Sequence, residues 1–349
     1  MSKTRIAVAG AGYIGQAHMG VAQASAGCTL SAVVDPSPAA QAVARQAGVP
    51  LYPSIEALLA SEHRPDGLVL ATPNALHVPQ ALQCLAEGVP VLVEKPIATT
   101  VAEGRRLVDA VENSGAAVLI GHHRAHSPIM AKARQVVASG QLGRLVSVMG
   151  SALFYKPAGY FADSPWRREP GGGPILLNMI HEVHNLRMLC GDIGAVQAFK
   201  SHATRGFAVE DTVAINLRFT NGALGSFMLS DTAACPRSWE QTSQENKAYP
   251  SYADEDCYVI AGTDGSLSVP TMRLKTYPRA EDRSWWKPFE VGTVGLVRDD
   301  PLQHQMDHFG AVVRGEISPL VSARDGLDNL RVTEAIGEAA TTGRVVELA

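Results

Sequence analysis

Along the first third of the chain, short apolar runs alternate with amphipathic stretches and small polar turns. Residues 5–9, 29–34, 67–71, 91–93 and 117–120 read as strands. Residues 13–24, 38–47, 55–60, 76–87 and 101–112 read as helices, with Gly48 and Gly88 as C-terminal stops. Strands of this length separated by helices make βαβ units, a doubly wound parallel sheet and right-handed crossovers. Beyond His122 the period changes. One more helix is expected at 128–139, and then period-two segments follow at 145–153, 196–202, 212–219 and 224–229. Asn221-Gly222 between the last two is a hairpin signal. Residues 258–261 and 266–269 continue the pattern across Asp264-Gly265, and 175–189 reads as a helix covering one sheet face. Segments 232–256 and 276–300 are polar, aromatic and irregular, and helices near 302–314 and 323–340 close the chain. The expected class is α/β: a parallel sheet over 1–122, then an α+β domain over 123–349 with a large, open, mostly antiparallel sheet. The last helix is expected to pack back on the first domain.

Composition narrows the possibilities. At ~150 residues per domain, 349 residues suggest two domains. With 46% hydrophobic and 18% charged residues, the chain is not disordered as a whole. Thirty Lys and Arg against 34 Asp and Glu give a charge of −4, with no basic run longer than two, so no nucleic-acid partner is expected. No apolar run reaches the ~18 residues of a membrane span. The apolar stretch after Met1-Ser-Lys-Thr-Arg is broken by Gly10, Gly12 and Gly15 and reads as strand, turn and helix, not as a leader. Five cysteines without a C-x-x-C pair read as buried free thiols of a cytoplasmic protein.

Gly10-Ala-Gly12-Tyr13-Ile14-Gly15 fits G-x-G-x-x-G and lies where that pattern has meaning, after a strand and opening a helix. Gly10 permits the turn, Gly12 lets a pyrophosphate approach the backbone, and Gly15 lets helix and strand pack closely. Free N–H groups and the helix dipole then bind phosphate without a Lys or Arg. Asp35 ends the second strand 20 residues after Gly15 and is placed to accept both ribose hydroxyls. A carboxylate there repels a 2′-phosphate, so NAD is expected and NADP is less favoured. The first domain is thus expected to bind NAD. Thr72, Asn74 and His77 follow a later strand and line either the ribose or the nicotinamide; the alternative for Asn74 is a helix cap.

Glu94-Lys95-Pro96 closes the 91–93 strand, and Glu94 and Lys95 are both expected to contact the cofactor. Alternation along the strand sends Glu94 and Lys95 opposite ways. Lys95 would lie at the carboxyl edge, where burial and a cationic nicotinamide lower its pKa from ~10.4 toward the ~7–8 useful for proton transfer. Gly171-Gly172-Gly173 introduces a helix on which 177, 178, 181, 184 and 185 share one face. His181 there is either a satisfied core histidine or a proton-exchanging group. His181-Glu-Val-His184 is one residue short of H-E-x-x-H, and although His304 and His308 have the i, i+4 spacing, no carboxylate-rich set accompanies them, so no metal is expected.

Together these segments, with Ala71-Thr-Pro-Asn-Ala-Leu-His77 and Gly121-His-His-Arg-Ala-His-Ser-Pro128, resemble the glucose–fructose oxidoreductase / inositol dehydrogenase / MocA (Gfo/Idh/MocA) family over essentially the whole chain. The resemblance implies a Rossmann domain, an open antiparallel sheet domain and NAD(P)-dependent oxidation of sugars or cyclitols. It implies that Lys95 contacts the reacting hydroxyl, that His181 acts in proton transfer, and that the Lys95–Pro96 bond is cis. Many relatives carry Asp four residues before that His; here the position is Leu177, with Asn178 beside it. Asn178 can hydrogen-bond but cannot take a proton. Trp166-Arg167 looks like a substrate-contacting pair, with a loop anchor as the alternative.

The expected function is hydride transfer from a secondary hydroxyl of a sugar, cyclitol or sugar acid to nicotinamide. Lys95 and His181 are the acid–base groups, and Arg167, Asn178, His184, His123 and Trp166 hold the substrate. The alternatives are elimination or epimerisation by transient oxidation with retained cofactor, and a non-catalytic dinucleotide sensor. Segments 155–170 and 232–256 are expected to set substrate choice, and the open sheet to make a homodimer or homotetramer.

Overall fold

The computed structural model describes residues 3–348. The chain divides into two units: residues up to His126 together with Pro301–Leu330, and Ser127–Asp300 together with the chain from Arg331.

The first unit is built on six parallel strands: β1 (Thr4–Ala9), β2 (Cys28–Val34), β3 (Leu51–Tyr52), β4 (Gly67–Leu70), β5 (Val91–Glu94) and β6 (Val118–Gly121). Their order is β3-β2-β1-β4-β5-β6. β4, β5 and β6 are buried at every position, as expected of strands covered on both faces. The order reverses between β1 and β4, the switch point at which ligands of such sheets bind. The helix Pro301–Val313 returns to this unit and packs on the helix Tyr13–Ala24. The first turns of the helix Ala323–Thr342 return as well. An added Cβ on Gly326 would lie 2.9 Å from Ile120 of β6, and one on Gly104 would lie 2.9 Å from Leu327.

The second unit carries nine strands: β7 (Leu145–Leu153), β8 (Ile193–Ser201), β9 (Thr212–Phe219), β10 (Leu224–Ser230), β11 (Tyr258–Gly262), β12 (Gly265–Val269), β13 (Arg273–Thr276), β14 (Glu290–Thr293) and β15 (Val346–Glu347). The order is β14-β13-β12-β11-β7-β10-β9-β8-β15, with β7 and β10 parallel and every other pair antiparallel. Val213, Ile215, Leu217 and Phe219 of β9 are buried while Ala214, Asn216 and Arg218 are exposed, the alternation of a sheet with one covered face. Val148, Phe227 and Ile260 share the core with Met130 and Ala133 of the helix Pro128–Ala138 and with Val183 and Leu186 of the helix Ile180–Cys190.

Two of the departures from the pattern reading lie in segments 276–300 and 175–189. Segment 276–300 contains β14, paired with β13, instead of being irregular throughout. All four β14 residues are exposed, so burial imposes no apolar alternation for a sequence reading to detect. The helix expected at 175–189 opens as a single wide π-type turn, Ile175–Met179, before the α-helix begins at Ile180. That turn shifts Leu177 and Asn178 out of the simple i, i+4 phase with His181.

Candidate functional site

The phosphate loop comes first, because the backbone alone builds it. A Cβ on Gly10 would lie 2.4 Å from the Ala71 carbonyl oxygen, and one on Gly15 would lie 1.9 Å from the Gly10 carbonyl oxygen. Strand, loop and helix are therefore in backbone contact at these two positions. A Cβ on Gly12 would meet nothing within 4 Å. Gly12 is also the N-cap of the helix Tyr13–Ala24, with no side chain capping it. Closed sides at Gly10 and Gly15, an open approach at Gly12 and an uncapped helix N-terminus suit a pyrophosphate. Tyr13 is exposed and Ile14 half-buried beside it.

Asp35 follows β2. One carboxylate oxygen accepts the Ala11 N–H at 2.8 Å and the other accepts the Ser37 N–H at 2.8 Å. Burial pushes the carboxyl pKa up, but these backbone donors outweigh it, and the net shift is below the ordinary carboxylate value. The acid thus braces the glycine loop as an anion.

Beyond β4, the Thr72 hydroxyl donates to Gln80 Oε1 at 2.6 Å. Asn74 is exposed in a 3-10 turn, and no side chain caps that turn or the helix that follows. His77 is buried, with Nδ1 2.8 Å from the Pro96 carbonyl and Nε2 2.9 Å from the Thr72 carbonyl. It ties the segment after β4 to the turn after β5. In that turn the Lys95–Pro96 bond is cis, as the resemblance implied. Lys95 is half-buried at the carboxyl end of β5. Glu94 turns inward: its Oε1 lies 2.7 Å from His18 Nε2, and its Oε2 accepts the Lys95 N–H at 3.2 Å. Burial raises the Glu94 pKa, but His18, Lys95 and His123 outweigh it and hold the group below its usual range. His123 is half-buried in the 3-10 turn His123–His126.

In the second unit the glycine triplet is explained by crowding. A Cβ on Gly172 would lie 2.5 Å from the backbone of Trp166 and Arg167, and one on Gly173 would lie 2.3 Å from Glu210 Oε1. The same Glu210 oxygen accepts the Ile175 N–H at 2.9 Å. Trp166 is exposed, while Arg167 lies 3.8 Å over the Tyr160 ring and donates to the Tyr160 carbonyl at 2.7 Å. His181 and His184 are both buried. Glu182 and Asn185 are drawn away into the core. The Tyr258 hydroxyl donates to Glu182 Oε2 and accepts from Asn185 Nδ2 at 2.9 Å. Asn185 is therefore not part of the group around Asn178. Among the described residues, no group of three or more His, Cys, Asp or Glu is placed to hold a metal.

Asn178 has a partner that the pattern reading missed. Its Oδ1 accepts from Lys156 Nζ at 2.8 Å. Lys156 lies just beyond β7, buried among Phe154, Tyr160 and Asp231, whose Oδ2 is 3.4 Å away. Burial takes its ammonium pKa down to about 8 against the pull of Asp231, and Arg205 and Arg167 add to the fall. The available signal was a lysine between a strand and a proline, flanked by Phe154, Tyr155 and Tyr160.

Comparison with known proteins adds family to geometry. Residues 4–122 match the family model of an oxidoreductase family with an NAD-binding Rossmann fold. Residues 130–268 match that of the GFO/IDH/MocA C-terminal domain. The chain is 27% identical over 297 residues to 1,5-anhydro-D-fructose reductase of Ensifer adhaerens, covering 81% of this chain and 80% of that protein. It is 27% identical over 346 residues to the rhizopine catabolism protein MocA of Rhizobium meliloti, covering 97% and 95%. Among solved structures, the WlbA dehydrogenase of Bordetella pertussis in complex with NADH and UDP-GlcNAcA superposes with a TM-score of 0.78 at 24% identity, covering 100% of this chain and 99% of that one. With both halves matched in chain order, the chain belongs to the GFO/IDH/MocA family of NAD(P)-dependent oxidoreductases.

Proposed function

We propose that the enzyme is an NAD-dependent dehydrogenase acting on a secondary hydroxyl of a sugar, cyclitol or sugar acid, with Lys95 and His181 as its acid–base groups. The observation that carries this reading is the placement of the glycine loop and Lys95 on one edge of the first sheet. β1 runs into the loop, Lys95 directly follows β5, and only β4 lies between the two strands. Gly10, Gly12, Gly15 and Asp35 would hold the dinucleotide, whose nicotinamide supplies the hydride acceptor when bound. The work of Lys95 is to withdraw the hydroxyl proton as the carbinol is oxidised and to return it in the reverse direction. With Leu177 where many relatives carry Asp, and with Asn178 unable to take a proton, the second acid–base role falls to His181. Arg167, Asn178, His184, His123 and Trp166 are the proposed substrate-holding side chains. The name of the Ensifer relative, a reductase of an anhydro-sugar, supports the substrate class.

NAD is favoured over NADP because the Asp35 carboxylate is fixed as an anion beside the loop and no Arg follows it before Arg45. The proposal includes a cytoplasmic homodimer or homotetramer joined through the open sheet face. There Phe199, Ala214 and Met228 stand opposite one another on β8, β9 and β10, and all three are exposed. Sedimentation would read the order of assembly.

The test is Lys95→Met, assayed by absorbance of reduced nicotinamide against a panel of sugars, cyclitols and sugar acids. Turnover should fall by about 10³-fold or more, while the thermal shift given by NAD, larger than that given by NADP, is retained. Near-normal turnover would refute the role of Lys95. A larger shift with NADP would refute the cofactor choice.

A further inference from the structure

β7 and β10 are the single parallel pair in the second sheet, with Leu153 opposite Ser230 at their carboxyl ends. Just past those ends the chain gathers cations. The Lys156 N–H donates to the Asp231 carbonyl at 2.8 Å, so the two segments are locked together. Asp231 is buried, and its carboxylate is divided between Arg205 Nε at 2.9 Å and Lys156 Nζ at 3.4 Å. Arg205 also donates to the Lys156 carbonyl at 2.9 Å. The Tyr160 ring carries Arg167 at 3.8 Å and Lys156 at 5.0 Å. Arg167 meets a backbone carbonyl but no carboxylate. Two cations thus share one acid, and a third, Arg167, stacks on the ring that Lys156 also meets. Counting Asp211, which accepts the Thr204 and Arg205 N–H groups at 3.0 Å, the excess is still one positive charge.

The hydrogen-bonding polarity is as one-sided as the charge. An ammonium has only donors, so the Asn178 atom 2.8 Å from Lys156 is the amide oxygen, and the amide nitrogen with its two N–H groups faces the other way. Lys156, Arg167 and the Asn178 amide nitrogen therefore present donors and no acceptor. A neutral polyol, whose hydroxyls must also donate, is poorly served by such a set. A carboxylate, which only accepts, is well served, and an excess of one charge matches a monoanion better than a dianionic phosphate.

Resting on the dehydrogenase reading above, we infer that Lys156, Arg167 and Asn178 form a carboxylate-binding site, so that the substrate is a sugar acid, an aldonate or uronate, rather than a neutral sugar or cyclitol.

The test compares neutral and acid partners of one skeleton, glucose with gluconate and glucuronate and with glucose 6-phosphate, in the wild-type protein and in Lys156→Met. The wild type should prefer a carboxylate by at least about 10-fold in kcat/KM. Lys156→Met should lose that preference through a KM on the carboxylates raised about 10–100-fold, a larger rise than on the neutral partner, with kcat changed little. Arg167→Gln, at a half-buried loop position, should reduce the same preference and guards against a misfolded Lys156 variant. Preference for the neutral sugar or for the phosphate overturns the inference. So does an equal KM rise on neutral and acid partners, which would mark Lys156 as structural. If no compound is turned over, the dehydrogenase reading fails by itself, and thermal shift then decides the site. Stabilisation by gluconate or glucuronate that vanishes in Lys156→Met upholds the carboxylate site, and its absence in the wild type overturns it.

Discussion

Each unit sets a lysine past the carboxyl end of a strand with a parallel neighbour, but the two surroundings are assembled differently. Lys95 follows β5 directly, between Glu94 and Pro96, in a sheet whose strands are all parallel, so every carboxyl end lies on one edge. Lys156 follows β7, and the residues around it come from distant segments: Asn178 on the wide turn, Arg205 between β8 and β9, and Asp231 after β10. A fully parallel sheet collects chemistry on one edge by topology alone. A mixed sheet does so only where a parallel pair happens to occur, and a buried ion cluster must then hold the place.

That difference is most exposed at Asp231. Lys156 and Arg205 each retain about 10% side-chain exposure and share this carboxylate, itself 3% exposed. Asp231→Ala leaves two buried cations facing each other, and a loss of about 3–5 kcal/mol is expected in chemical denaturation. The Arg5–Asp66 pair of the first unit is 3.1 Å apart with side chains 49% and 41% exposed, and by the same measurement should be worth under about 1 kcal/mol. A loss below about 1 kcal/mol at Asp231 would mean that water already reaches the cluster.

How far each region could be read in advance follows from the same contrast. The first sheet was legible because burial on both faces demands apolar runs and each helix stop is a local signal; the helix predicted at 13–24 is observed as Tyr13–Ala24. In the second sheet 212–219 was legible for the complementary reason, one covered face and a strict alternation, whereas burial along 145–153 alternates only loosely. β14 was not, being wholly exposed, and neither were the two-residue edge strands β3 and β15. Gly10, Gly12, Gly15 and Asp35 could be picked out because their spacing lies within one βαβ unit. Lys156 could not: its partners Asn178 and Asp231 lie 22 and 75 positions away, and only the folded sheet brings them together. Phase also misled. The five positions expected on one helix face divide, with Asn178 toward Lys156 and Asn185 toward Tyr258.

The glycine loop offers a finer test, within the region that was legible. Gly12 and Gly15 are three residues apart, yet a Cβ meets nothing within 4 Å at the first and lies 1.9 Å from the Gly10 carbonyl oxygen at the second. Gly15→Ala must push the helix off its strand and should cost about 1–3 kcal/mol in denaturation. Gly12→Ala, at φ −71°, should change stability by less than about 0.5 kcal/mol while sharply reducing the thermal shift given by NAD. If the two variants lost stability equally, the open approach at Gly12 would not be a ligand surface.

The smallest expected effect concerns Glu94, the buried acid of the first unit, and it has the opposite character to the Lys156 cluster. Burial dominates at Lys156 and lowers its pKa; at Glu94 burial is outweighed by His18, Lys95 and His123, and the carboxyl stays below its ordinary value. A carboxyl whose folded pKa is depressed stabilises the fold at every pH above its unfolded pKa, and that contribution is lost as pH falls through the folded pKa. Above about pH 5 the Glu94 carboxyl itself therefore adds no pH dependence to the difference between the wild type and Glu94→Gln. Below about pH 4.5 the wild type alone should lose the extra stability, at no more than about 1.4 kcal/mol per pH unit for one proton. Denaturation midpoints taken across that range measure it. Parallel wild-type and variant curves down to pH 3 would show that His18 and Lys95 do not stabilise the charged carboxylate. The brace beneath Lys95 would then be steric, and the two units would differ less than their buried charges suggest.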